Sequence, residues 1–105
     1  MSNLSLFLVL LPNGGVKHSP IFTKTVQIKS KNFHACDDVD FLNLCCHIFR
    51  EPNKLNYIYD QDGKLIERIQ QIKDKSILFI KKDPGFNLNE SEFNHVIVSV
   101  KIATT

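Results

Sequence analysis

Histidine and cysteine are residue types that bind zinc or take part in nucleophilic catalysis. Two of the four histidines and all three cysteines lie between residues 34 and 47: His34, Cys36, Cys45, Cys46 and His47. A structural zinc site needs four ligands converging within about 2.3 Å of the ion. Cys36 and Cys45 are nine residues apart along one predicted helical segment, roughly 13 Å along its axis, and adjacent helical side chains point about 100° apart. We therefore expect no metal site, and we expect Cys45 to be a small core residue.

Cysteine catalysis would require an exposed thiolate beside a histidine that accepts its proton. The helical pattern buries Cys45 and leaves Cys46 and His47 as ordinary neighbours. An odd number of cysteines, two of them adjacent, also argues against a disulfide framework and favours the reduced thiols of a cytosolic protein. We expect no enzymatic activity and no cofactor.

The segment Asp60-Gln61-Asp62-Gly63 matches the first positions of a calcium-binding loop. The twelfth position of that loop requires a bidentate glutamate, and Gln71 stands there instead. The segment therefore predicts a tight turn, in which Gly63 adopts a conformation that other residues resist.

Apolar periodicity predicts the elements that hold these residues. Residues 4–11 are apolar at almost every position, which is typical of a strand buried on both faces. Residues 21–29 predict its hairpin partner. A helix begins at Asp37 or Asp38, buries one apolar face and ends before Pro52.

Shorter patterns follow the helix. Residues 57–59 and 64–66 predict two strands around the turn, residues 67–72 a short helical turn, and residues 77–81 another strand. This order predicts an α+β fold of the ubiquitin-like β-grasp type, with a mixed sheet packed on one main helix, across a domain of residues 1–86.

The C-terminal extension, residues 87–105, contains a second alternating pattern. Val96, Val98, Val100 and Ile102 fall on one face of an extended chain. We therefore predict an additional C-terminal strand at about residues 95–102. This strand would join the sheet of the domain, pair with another copy of the chain or open a following domain.

The first predicted strand has apolar residues on both faces. Phe7 and Val9 lie on the face opposite Leu4, Leu6 and Leu8, and one helix covers only one side of a sheet. Large exposed apolar patches are uncommon in monomers, so this second face needs cover. Either the tail strand with its preceding loop supplies it, or Phe7 and Val9 form the interface of a homodimer.

Basic residues concentrate in the first third of the chain, although the net charge of the 105 residues is only +2. Residues 1–36 contain four lysines and neither aspartate nor glutamate. The basic side is either an ordinary solvated face or a docking patch for an acidic partner. The small net charge does not indicate nucleic-acid binding, and the apolar run at 4–11 is too short to cross a membrane.

The most specific motif is Tyr-Ile-Tyr-Asp-Gln-Asp-Gly-Lys at residues 57–64, followed by Ile66 and the strand at 77–80. Together with Asn13-Gly14, Phe33 and Leu42, it resembles the doublecortin domain, a ubiquitin-like module of microtubule-associated proteins. The resemblance extends from about Leu6 to Phe86.

The resemblance implies a protein-binding module that contacts microtubules, tubulin or another cytoskeletal protein in the cytoplasm, at a basal body, cilium or cell cortex. Tubulin is acidic, which suits the basic side of the domain. Charge placement, rather than a motif, predicts the contact residues Lys17, Lys24, Lys29, Lys31, Lys54 and Lys64. The alternative is a ubiquitin-like scaffold that self-associates or docks onto a non-tubulin protein through its sheet.

Overall fold

A computed structural model describes residues 3–14, 16 and 20–103. These residues form a small α+β domain with a four-stranded mixed sheet and three α-helices. None of these helices has both the length and the apolar character needed to cross a bilayer. The elements in chain order are β1 (Asn3–Leu10), β2 (Phe22–Lys29), α1 (Ser30–Ala35), α2 (Asp38–Phe49), β3 (Tyr57–Tyr59), a 3₁₀ turn (Ile69–Gln71), β4 (Ser76–Lys81) and α3 (Glu90–Ala103).

The sheet has the strand order β2-β1-β4-β3. β1 pairs antiparallel with β2 and parallel with β4, and β3 pairs antiparallel with β4. The predicted strands at 4–11, 21–29, 57–59 and 77–81 are confirmed. The predicted return strand at 64–66 is reduced to a single bridge between Tyr59 and Leu65.

α2 covers one face of the sheet. Asp37 caps it, because its Oδ1 accepts a hydrogen bond from the Asp40 backbone N–H at 2.8 Å. Phe41 and Cys45 on its inner face are fully buried, as the helical spacing predicts. The first core comprises Leu4, Leu6, Leu8, Phe33, Phe41, Cys45, Leu55, Ile58, Ile69, Ile72, Leu78 and Ile80.

The predicted C-terminal strand at about residues 95–102 is wrong, because this segment lies within α3. Val96 and Val100 are buried, whereas Val98 and Ile102 are 54% and 71% exposed. Burial therefore follows the turn of a helix and does not alternate along the segment.

Two features of the sequence explain the helix. Phe93, Val96, Ile97 and Val100 are spaced i, i+3, i+4, i+7 and all pack into the second core. Asn89 and Glu92 satisfy each other's backbone N–H groups: Asn89 Oδ1 accepts from Glu92 N at 2.8 Å, and Glu92 Oε1 accepts from Asn89 N at 3.3 Å. The valines also satisfy a period of two, and for this reason the hydrophobic pattern alone predicts a strand.

α3 covers the second face of the sheet. Val9 is fully buried there and Phe7 packs beside it half-buried, so the chain itself supplies the cover, as a helix and not as a strand. Glu92 Oε2 also accepts a hydrogen bond from Val16 N at 3.1 Å, which holds Val16 against α3. The second core comprises Val9, Leu11, Val16, Tyr59, Phe79, Val96 and Val100.

Replacing Val96 by alanine should lower the free energy of unfolding by about 2 kcal/mol, because two methyl groups leave a buried site. Val98→Ala is the matched control, since Val98 is exposed, and should change it by less than about 0.5 kcal/mol. Urea titration followed by far-ultraviolet circular dichroism measures both. Equal losses at the two positions would contradict the helical placement of this segment.

Candidate protein-binding surface

The predicted basic residues divide into two groups. Lys24 and Lys29 lie on β2, and Lys31 lies in the first turn of α1; all three are exposed. Lys54 and Lys64, also exposed, lie in segments flanking β3, at the opposite edge of the sheet. The structure therefore places three of the predicted lysines on β2 and the helix that follows it, with Lys24 and Lys29 on opposite faces of the strand. The other two lie at the opposite edge of the sheet.

Lys17 lies outside the described residues. The only ion pair among the residues that the structure describes joins Lys82 and Glu51. Lys24, Lys29 and Lys31 thus have no carboxylate partner within that part of the chain. Exposed lysines without a carboxylate partner attract an acidic protein over a distance of about 10 Å, which is the screening length at 0.1 M salt.

β2 is also a terminal strand, with β1 as its neighbour in the described sheet. Lysines on a terminal strand prevent edge-to-edge association, so Lys24 and Lys29 have a second physical role. Thr25 and Gln27, exposed between them, keep the strand polar. This edge is therefore charged and polar, which disfavours edge-to-edge aggregation.

The motif that resembles the doublecortin domain builds a turn. Asp60 Oδ1 accepts hydrogen bonds from the backbone N–H groups of Asp62 and Lys64, both at 2.9 Å. Gly63 has φ +80°, and a Cβ there would lie 3.0 Å from the Phe86 ring. Its aspartate and glycine are therefore explained by local structure and packing.

Tyr59 of the same motif also takes part, with Lys81, in a pair of hydrogen bonds to the Gly85 backbone. Tyr59 Oη accepts a hydrogen bond from Gly85 N at 2.6 Å, and the Lys81 ammonium donates to Gly85 O at 2.5 Å. Lys81 is only 2% exposed. In the sequence, only the alternation of β4 indicates that Lys81 is buried. Lys81 falls on the same face of the strand as Ile77 and Phe79, and α3 covers that face.

The thiols are spread through the first core and its margin. Cys45 is fully buried, and burial, with a smaller effect of Cys46, raises its pKa to about 12. Cys46 Sγ accepts the Leu55 N–H at 3.4 Å and so ties α2 to the segment before β3. Burial, then the charges of Asp40 and Asp37, raise the pKa of Cys36. Among the described residues, no group of three or more histidines, cysteines and acids is placed to hold a metal ion.

Comparison with known proteins adds no family. No protein-family model and no curated protein matches this sequence. The case for function therefore depends on the exposed residues and their charges.

Cys45 should resist alkylation by iodoacetamide at pH 8 in the native protein and react only when urea unfolds it. Cys36 and Cys46, both partly exposed, are the internal controls and should react first; mass spectrometry of peptides identifies each site. Because folding raises the Cys45 pKa from 9.0 to about 12, the stability it contributes is complete below pH 9 and is lost as the pH rises toward 12. Labelling of native Cys45 as fast as Cys46 would contradict its burial.

Proposed function

We propose that this chain is a ubiquitin-like β-grasp domain of the doublecortin type that binds an acidic cytoskeletal protein without catalysing a reaction. Tubulin is the first candidate, in the cytoplasm at a basal body, cilium or cell cortex. The strand order β2-β1-β4-β3, with a parallel central pair and α2 across one face, supports the β-grasp assignment. The 57–64 motif and its turn support the doublecortin type.

The observation that carries the binding proposal is the basic edge at β2, whose lysines make no ion pair with the other described residues. Lys24, Lys29 and Lys31 are exposed, and the eight residues of β2 contain no aspartate or glutamate. Such a surface on a rigid strand and the helix that follows it keeps its geometry when a partner binds. Exposed charges of this kind mainly accelerate association and make it sensitive to salt.

Lys54 and Lys64 belong to the opposite edge, so one flat acidic surface cannot easily contact both groups. We therefore assign the main contacts to the β2 group, and secondary contacts to Lys54 and Lys64. Lys17, in the segment that joins β1 to β2, remains a predicted contact on charge alone.

Microtubule co-sedimentation at low and raised salt tests this proposal. The wild-type chain should pellet with microtubules at low salt and less at raised salt. Each of Lys24→Glu, Lys29→Glu and Lys31→Glu should weaken binding by about fivefold, corresponding to roughly 1 kcal/mol per exposed contact.

Lys73→Glu is the matched control, because Lys73 is exposed and precedes β4, which β1 separates from β2. It changes the net charge by the same amount and should alter binding by less than about twofold. Absence of pelleting at low salt would remove tubulin from consideration. Equal weakening by all four variants would show that only net charge matters.

The alternative is a scaffold that self-associates or docks onto a non-tubulin protein through its sheet. β2 is a terminal strand and could pair with another chain, although its lysines oppose pairing with a second copy of itself. Val9 is not the residue through which to test it, because a charge at this buried position would disrupt the second core. Light scattering over a range of concentrations distinguishes the two functions: the scaffold forms a dimer without tubulin, whereas the microtubule-binding domain need not.

A further inference from the structure

The apolar face covered by α2 is longer than α2 itself. β1 and β2 remain paired as far as Leu10 and Phe22, which face each other on the side of the first core. α2 ends at Phe49, and Arg50 then turns the chain away with φ 51°. α2 therefore does not cover the last cross-strand pair, Leu10 and Phe22, and the Phe22 side chain is 54% exposed.

The uncovered pair Leu10 and Phe22 forms the floor of a groove. One hollow of about 440 Å³ has Leu10 and Phe22 on one side and Ile48 and Phe49 on the other. Leu10, Phe22 and Glu51 also border a second hollow of about 250 Å³, toward the loop between β1 and β2. The two hollows share Leu10, Phe22 and Glu51, so they adjoin and form one continuous groove.

The rim of the groove is basic. Lys24, Arg50 and Lys82 line it, with Glu51 as the single acidic group. Lys82 Nζ lies 3.0 Å from Glu51 Oε1, and this hydrogen bond lowers the Glu51 pKa. The charge of Glu51 is thereby balanced, and Lys24 and Arg50 make no ion pair within the described residues.

We propose that this groove binds a short, extended, acidic segment of another protein, which inserts an aromatic or leucine side chain between Phe22 and Phe49. The apolar floor supplies the anchor site, and Lys24 and Arg50 are placed for carboxylates on either side of it. Arginine forms paired hydrogen bonds with a carboxylate and is common at the energetic centre of interfaces. This goes beyond the proposed function, because it requires neither tubulin nor a polymer.

A second copy of this chain is a poorer occupant. Its acidic segment at residues 83–92 has Phe86 and Leu88 packed against the second core, so no apolar anchor is free there. In a second acidic segment, Asp37 and Asp40 cap α2, and Asp38 Oδ1 accepts the Ile69 N–H at 2.9 Å. In a third, Asp60 is held in the turn at residues 60–64. Charge complementarity therefore favours a foreign acidic peptide.

Arg50 offers a means to separate binding from folding. Its left-handed conformation costs a non-glycine residue about 1 kcal/mol, and glycine is the residue that ordinarily ends helices this way. Arg50→Gly should therefore maintain or raise the melting temperature and yet weaken the peptide. If Arg50 served only the fold, Arg50→Gly would not weaken peptide binding while it maintained or raised the melting temperature.

The probe is a fluorescein-labelled nine-residue peptide with a central Phe-Leu pair flanked by glutamates, titrated with the full chain and followed by fluorescence anisotropy. Two matched peptides replace Phe-Leu by Ala-Ala or the glutamates by lysines, and each should bind at least about tenfold more weakly. Arg50→Gly, Lys24→Glu and Phe22→Ala should each weaken the Phe-Leu peptide by about tenfold, whereas the matched Lys73→Glu variant should change it by less than twofold.

Several results would overturn the inference: equal binding of the Phe-Leu and Ala-Ala peptides, equal weakening by Lys73→Glu and Lys24→Glu, or loss of peptide binding only in variants with a lower melting temperature. Self-association of the wild-type chain that Arg50→Gly abolishes would identify a second copy as the occupant instead. Peptide binding without microtubule pelleting, or the reverse, separates this inference from the proposed function.

Discussion

The structure depends on β1, an apolar strand in the interior of the sheet that has to be shielded from water on both sides. Leu4, Leu6 and Leu8 face α2, and Val9 faces α3. Its backbone is satisfied by β2 on one side and β4 on the other. Burying such a strand requires two layers, and this is why the C-terminal segment has to form part of the domain.

Much of the fold follows from local patterns. The long apolar run, the hairpin partner and the capped helix at Asp38 each have a single dominant period, so the sequence identifies them with approximate boundaries. The C-terminal segment does not, because its valines fit both a strand and a helix. The helical spacing of Phe93 and Ile97 with the valines, together with the capping pair Asn89 and Glu92, distinguishes the two.

The proposed binding surfaces differ in how far the sequence predicts them. Clustering of lysines before residue 36 predicts Lys24, Lys29 and Lys31 as contacts, and the structure shows that these residues are exposed on β2 and at the start of α1. The groove could not be foreseen. It exists because a helix and a strand pair of different lengths end at different levels, and this mismatch appears only once the register of Leu10 with Phe22 and the end of α2 are known.

The double role of Glu92 has a consequence for how the chain matures on the ribosome. One of its carboxylate oxygens caps α3 and the other holds Val16, 76 residues earlier. Until Glu92 has left the exit tunnel, Val16 lacks this hydrogen bond and α3 cannot cover the face bearing Phe7 and Val9. The nascent domain therefore passes through a stage with its second core exposed, when chaperones have most reason to bind it.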